Sequence, residues 1–535
     1  MNEFGALNWV ILIIYIIANL ILGYVLGKKI NTAKDFFLGR KTTPWWAIGI
    51  SVIATYVSAL TFLGAPAWSY KEGLSVIAIH LNYPLVIFVV VTLFFPFFYN
   101  SGVASIYEYI EKRFGAKARG VISIIWMTSQ ILVSGAILFA TALVLEFITG
   151  VDVVHAIFIV TIIALIYTVM GGITAVIWTD VIQAGVLLTG ALIIVYALFD
   201  QMSLPLHETL LQLKAQGKTN PLDFSFDISN VTTIWSGIIA MTIFHITVYG
   251  TNQMMVQRTL ASKTIGDAKK AYMLMGYMAF FIYFLFIFMG ILFYSYYGGR
   301  EFENGNTIIL QFAADYGMPG LMGIIAAAVM AASMSSLDSA FNSLSTVATV
   351  DFYQKYVTKD ASPEHYLKIS RLLTVVFAIL IIIPAYVYTK STGSVLEIIS
   401  KVGSFFIGAQ LGMFALGFFS KQATEKGLLV GTAAAFLAVA YVGIVTDVAW
   451  PWYCAIGLIV SIVVTIIASL LIDGVQLEYS PYTIKGQIAK FKNENLDEKE
   501  DGWYLVPGKI DNASYLLLVF FVAIIIFLLL FERLI

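Results

Sequence analysis

The sequence predicts an all-α polytopic membrane protein, and three observations carry that prediction. Hydrophobic residues are 60% of 535 and charged residues only 12%, where soluble domains carry about 25% charged residues. Mean hydropathy is +0.88. Apolar runs follow one another along the chain, each long enough to cross a hydrocarbon core of about 30 Å, and no soluble domain of any size fits between them.

About fourteen spans are expected, starting near Asn8, Trp45, Gly73, Ala118, Val151, Ala175, Thr232, Lys270, Pro319, His365, Ser394, Lys426, Ala449 and Asn512. The first, 8–27, ends in Lys28 and Lys29 and lacks a short charged leader, so it reads as a helix and not a signal peptide. The second carries Ser58, Ala59, Gly64, Ala65 and Pro66, which interrupt it at mid-depth. The seventh is interrupted at Tyr249, Gly250, Thr251, Asn252 and Gln253. Non-helical backbone at membrane depth survives only where it is buried in protein or lines a cavity, and its freed carbonyls can bind a cation. Gly and Pro also serve helix packing alone.

The ninth span carries the most polar atoms. Ser335, Asp338, Ser339, Asn342 and Thr346 step by three or four and fall on one helical face, a ladder of oxygens in an apolar run. Hard cations prefer oxygen ligands, and an intramembrane Asp needs a partner, a polar cavity or an ion. Polar glue between helices is the other reading of the serines.

The two broken spans are five apart. An odd number of helices per unit makes the second unit enter from the opposite side, the inverted repeat of a secondary transporter. The organisation expected is one transmembrane domain over 1–535: a first helix at 8–27, repeat one at 44–199, repeat two at 232–420, and C-terminal helices at 426–535 with a cytoplasmic loop at 473–511. That loop mixes Lys with Glu and reads as a solvated connector.

Basic residues cluster in alternate loops: Lys28 to Lys41, Lys112 to Arg119, Arg258 to Lys270, Lys355 to Arg371, Lys421 with Lys426, and Lys485 to Lys509. The other side holds only Lys71, Lys214, Lys218, Arg300, Lys390 and Arg533. The positive-inside rule then places both termini outside the cytoplasm. A net charge of −1 gives no reason to expect a nucleic-acid partner. The single Cys454 supports neither disulfides nor a thiolate metal site. No HExxH or GxSxG motif supports an intramembrane enzyme, and the mid-depth clustering of polar residues argues against a channel.

The segment Gly171, Gly172, Ile173, Thr174, Ala175, Val176, Ile177, Trp178, Thr179, Asp180 to Gln183 resembles the signature of the sodium/solute symporter family, which includes sodium/glucose, sialic acid, monocarboxylate and vitamin carriers. Ser105 to Tyr109 before Arg113 and Phe114, Gly250 to Gln253 followed by Val256, Gln257 and Arg258, and Ser335 to Ser339 with Asn342 agree with it. The resemblance implies a LeuT-type fold in the plasma membrane, Na⁺ as the coupling ion, and alternating access. Carried over by position, it places a main Na⁺ site at Ala54, Val57, Ala332, Ser335 and Ser336. A second Na⁺ site falls at Asp180, Asp338 and Ser339 with Ser335. Asp338 stands where the sialic acid carriers have Ser, so a proton in place of Na⁺ stays open there.

Tyr56, Ser58, Thr61, His80 and His245 are expected to line the solute cavity, with Ser400 and Lys401 beside it. A histidine in a helix is also a common packing residue, and Lys401 has an alternative partner in Glu397, four residues earlier. The hydroxyls of Ser58 and Thr61 match positions that meet a carboxylate in the sialic acid carriers. The expectation is a Na⁺-coupled symporter importing a small organic solute, leaning to a carboxylate-bearing one of monocarboxylate or sialic acid type; a sugar or polyol symporter is the alternative.

Overall fold

The computed structural model describes residues 4–28, 30–390 and 395–535, and the side chains of all of these except 101 and 395–401. It is a helical membrane protein. Among the described residues eleven helices are long and apolar enough to cross a bilayer, while Trp45–Tyr56 and Ser236–Gly250 are shorter apolar helices. The count differs from fourteen because these two fall short and because Val153–Asp200 is counted as one span. Forty-eight residues at about 1.5 Å each would run to roughly 72 Å, over twice a hydrocarbon core. That segment is two helices joined at Gly172, whose φ of 51° and ψ of −157° leave the helical region.

The centre of the molecule is Leu321–Val347, buried along nearly its whole length. Its Ala and Ser side chains let neighbours approach closely, as small residues do between membrane helices. It packs chiefly on Val153–Asp200 and Ala116–Thr149. Ala6–Gly27 lies outside, mostly exposed, against the 153–200 pair.

The first interruption lies earlier than Gly64 and Pro66. Trp45–Tyr56 ends at Val57 (φ −80°, ψ 87°), and Ser58 (φ −90°, ψ 177°) precedes Ala59–Glu72, inside which Pro66 sits. The reason is tertiary, because hydroxyls from Leu321–Val347 satisfy the carbonyls released at Ala54 and Thr55. The second interruption falls at Thr251 and Asn252, between Met241–Gly250 and Gln253–Leu260. There the Gln410 amide donates to the Thr251 carbonyl at 2.6 Å, and Asn252 Oδ1 accepts from the amide of Met254 at 2.9 Å.

The 473–511 segment is mostly exposed and also carries folded structure of its own. It contains the helix Ile484–Asn493 and a hairpin pairing Lys499–Glu500 with Trp503–Tyr504. Asp501 and Gly502 turn that hairpin with φ of 49° and 86°, as a two-residue type I′ turn requires. Glu500 accepts from Tyr99 Oη and from the amide of Ile265, Tyr482 accepts from Tyr109 Oη, and Asp511 pairs with the buried Lys269 at 2.5 Å. The segment therefore straps together the ends of 83–101, 107–113 and 265–296. Lys269 and Arg119 are buried in ion pairs, as is Arg258, and do not act as loop charges.

Gly172 tests the joint between 153–171 and 173–200. A Cβ there would lie 2.7 Å from the carbonyl of Phe36, at a backbone conformation that L side chains rarely adopt. Gly172→Ala is expected to lower the melting temperature in detergent by several degrees. Gly185→Ala, in the same segment with nothing within 4 Å of its Cβ position, is expected to leave it unchanged or raise it.

Candidate functional site

The break at Val57 brings hard oxygens together. Ser335 Oγ donates to the Ala54 carbonyl at 2.9 Å and lies 3.1 Å from the Ala332 carbonyl. Ser336 Oγ donates to the Thr55 carbonyl at 2.9 Å and lies 3.5 Å from that of Ala332. Four of the five residues expected at a main Na⁺ site thus share one buried knot, with Thr55 added to them. Val57 supplies the non-helical joint beside it. Carbonyl and hydroxyl oxygens are hard ligands of the kind that suit a hard cation.

Asp180 is two turns into the 173–200 helix and fully buried, so an acid favoured by a helix N-terminus does not describe it. Its Oδ2 accepts from Ser51 Oγ at 2.5 Å and from Arg258 Nη2 at 2.9 Å. The same Nη2, which has two hydrogens to share, also lies 2.6 Å from both Thr55 Oγ1 and Ser339 Oγ. Arg258 Nε donates to Ser51 Oγ at 2.7 Å and Nη1 to the Met254 carbonyl at 2.6 Å. The guanidinium therefore stands between Asp180 and Ser339, two of the residues expected to share a second Na⁺.

Asp338, also fully buried, turns to the other side. Its Oδ2 accepts from Tyr167 Oη at 2.8 Å and lies 3.4 Å from Thr179 Oγ1, and its Oδ1 lies 3.1 Å from Ser339 Oγ, the latter two hydroxyls standing closer to the carbonyls of Ala175 and Ser335. Among the described residues it has no cationic partner within salt-bridge distance. Two carboxyl groups and one guanidinium share this interior, and the guanidinium pairs with Asp180. The rest of the ladder is structural here: Gln257 Nε2 donates to Asn342 Oδ1 at 2.8 Å and to Thr346 Oγ1 at 3.1 Å.

Beside the break lies a cavity of about 250 Å³ lined by Tyr56, Ser58, Thr61, His80 and His245 among others. All five described residues expected there are brought together. Ser400 and Lys401 belong to the side chains outside the described residues, as does Glu397. The wall is aromatic: His80 stacks on Tyr283 with centroids 3.7 Å apart, and Tyr83 stacks on His245 at 4.6 Å. No Asp, Glu, Lys or Arg is found among the described lining residues.

Sequence reasoning missed Ser51, Thr55, Asn82, Tyr167 and Thr179, and it read Arg258 as a loop charge. Ser51 and Thr55 carried a signal, since a spacing of four puts two hydroxyls on one face of the first broken helix. Tyr167 and Asn82 stand alone in apolar runs and carried none.

Arg258→Met leaves Asp180 buried without its counter-charge, a loss of about 3 to 5 kcal/mol when one partner of a buried pair is removed. Thermal unfolding in detergent is expected to show a large destabilisation, partly recovered in Arg258→Met with Asp180→Asn.

Comparison with known proteins gives the geometry its context. The model of the sodium:solute symporter family matches residues 36–435. The sodium/sialic acid symporter of Aliivibrio fischeri is 29% identical over 472 residues, covering 86% of this chain and 93% of the relative. The sodium/glucose cotransporter of Vibrio parahaemolyticus is 28% identical over 435 residues, covering 76% and 78%. A solved structure of a Na⁺-coupled sialic acid symporter, substrate-bound and outward-open, superposes with a TM-score of 0.82 at 28% identity, covering 89% of this chain and all of that one. With three quarters of its length inside the family model and its hydroxyls and broken-helix carbonyls gathered at one point, the chain belongs to the sodium:solute symporter family of secondary transporters.

Proposed function

We propose that this protein imports a small organic solute bearing a carboxylate, driven by Na⁺, across the plasma membrane. The break at Val57 and Ser58 is the observation that carries the reading. A helix C-terminus is a negative end and an N-terminus a positive one. The carbonyl end at Ala54 to Val57 meets the Ser335 and Ser336 hydroxyls, where Na⁺ fits. The amide end at Ser58 to Thr61 lines the cavity, where discontinuous helices receive carboxylates. Ala54, Val57, Ala332, Ser335 and Ser336 would supply the oxygens of the main ion, and Asp338 with Ser339 and Asp180 those of a second.

Two broken helices five spans apart support inverted repeats at 44–199 and 232–420 in a LeuT-type arrangement of fourteen spans. Lys and Arg outside the buried ion pairs still crowd one set of loops, which supports both termini lying outside. Lipid is the remaining partner. A neutral sugar or polyol is the second reading, favoured by a described cavity wall without formal charge. Na⁺-dependent thermal stabilisation across a panel of monocarboxylates, sialic acids and sugars separates the two; stabilisation by sugars alone would sink the carboxylate reading.

Ser336→Ala removes one hydroxyl with little change of volume. Losing one ligand to a charged group costs about 1.5 to 3 kcal/mol, so the half-saturating Na⁺ concentration for uptake into proteoliposomes is expected to rise about tenfold or more.

Two coupled ions per solute are expected. At about 100 mV and a tenfold gradient each Na⁺ supplies roughly 3.7 kcal/mol, and a monoanionic solute returns about 2.3 of it. Reversal potentials in liposomes with imposed gradients are expected to give a ratio of two for the native protein and one for Asp338→Ala. An unchanged ratio in the variant would make Asp338 a structural carboxylate.

A further inference from the structure

We infer that Asn82, His245 and Tyr56 form a hydrogen-bond chain that fixes the Tyr56 hydroxyl as an acceptor toward the cavity, so that the solute must present an O–H or N–H donor to it. The inference rests on the carboxylate reading and extends it: the solute is a carboxylate that also carries a hydroxyl or amino group.

The chain starts at a group whose direction is not in question. Asn82 is fully buried, and its Nδ2 lies 2.8 Å from the Gly237 carbonyl. A carbonyl only accepts, so the amide nitrogen must point there. The helices are pinned at this point, because at Gly237 the Ala78 carbonyl approaches where a Cβ would stand. Asn82 Oδ1 then faces His245 Nδ1 at 2.8 Å. An amide oxygen also only accepts, so Nδ1 carries the hydrogen.

His245 is fully buried among Tyr56, Tyr83, Phe244 and Tyr249. No carboxylate is among its contacts, and an unpaired charge there would be costly. A neutral imidazole has one N–H, already given to Asn82, so Nε2 is an acceptor. Tyr56 Oη stands 2.9 Å away and donates its single hydrogen to it. Toward the cavity, which Tyr56 lines and where it is half-buried, only oxygen lone pairs remain.

Both ring nitrogens of His245 are thus used by the protein. It is a positioning residue, and Tyr56 is the one that reads the solute. His80 differs: its Nδ1 lies 3.1 Å from Tyr83 Oη, and no hydrogen bond to its Nε2 is found among the described residues. A site built to bond a donor discriminates strongly against an analogue that lacks it. The chain therefore makes specificity a matter of one hydrogen atom on the solute.

Two measurements test this. In ¹⁵N-histidine-labelled protein, with His245 identified by the signals lost in His245→Gln, the expected pattern is a neutral ring protonated at Nδ1. A ring protonated at Nε2, or a cationic one, overturns the inference. Binding in Na⁺ buffer is then compared for lactate, 2-methoxypropionate and lactamide, in the native protein and in Tyr56→Phe, which keeps the ring. Lactate is expected to bind at least about tenfold more tightly than 2-methoxypropionate, with the difference lost in Tyr56→Phe. Equal binding of that pair in the native protein overturns the donor requirement while leaving the carboxylate reading intact. Lactamide binding as well as lactate, with 2-methoxypropionate still rejected, removes the carboxylate and keeps the donor requirement. Persistence of the preference in Tyr56→Phe, or no binding of any of the three, overturns the inference.

Discussion

The constraint around which the candidate site is organised is the helix break at Val57 and Ser58, which releases the carbonyls of Ala54 and Thr55. Lipid cannot hydrogen-bond a carbonyl, so a helix that ends inside the membrane must be met by other protein groups or by an ion. Ser335 and Ser336 meet it. They can do so because Leu321–Val347 is rich in Ala and Ser and comes close to the broken helix. The hydroxyls that satisfy the carbonyls in this conformation are the ones proposed to hold Na⁺, and on that proposal folding and ion binding would draw on one set of oxygens.

Electrostatics next to that knot divides labour between two carboxylates. Asp180 is held by Arg258, which also gathers Ser51, Thr55 and Ser339. Among the described residues, the polar side chains around Asp338 are neutral hydroxyls. A buried carboxylate next to a guanidinium is largely compensated, whereas one among hydroxyls retains its attraction for a mobile cation. Ser339 touches both Arg258 and Asp338.

Among the described residues the cavity is bordered by stacked aromatic rings and lined by no charged side chain. Tyr83, Tyr283, His80 and His245 form one wall, shaped by rings whose positions are set by packing. The folded 473–511 strap holds the ends of several helices together with Glu500, Asp511 and Tyr482, at a distance in sequence from the elements it joins.

The sequence by itself determined the membrane character, the two interruptions and the oxygen ladder, because hydropathy and helical spacing are local properties that survive any packing. It also placed Tyr56, Ser58, Thr61, His80 and His245 around one cavity through their positions in motifs. Tertiary structure alone decided where the first helix breaks, since Pro66 and Gly64 mark the sequence but serine hydroxyls from a distant helix choose Val57. It turned Arg258 from a loop charge into the buried partner of Asp180, 78 residues away. It made His245 a positioner by setting Asn82 against one nitrogen and Tyr56 against the other. It also folded a mixed-charge segment into a strap. A composition reading cannot reach these outcomes, because the partners are far apart in the chain and a hydrogen bond is decided by a few tenths of an ångström.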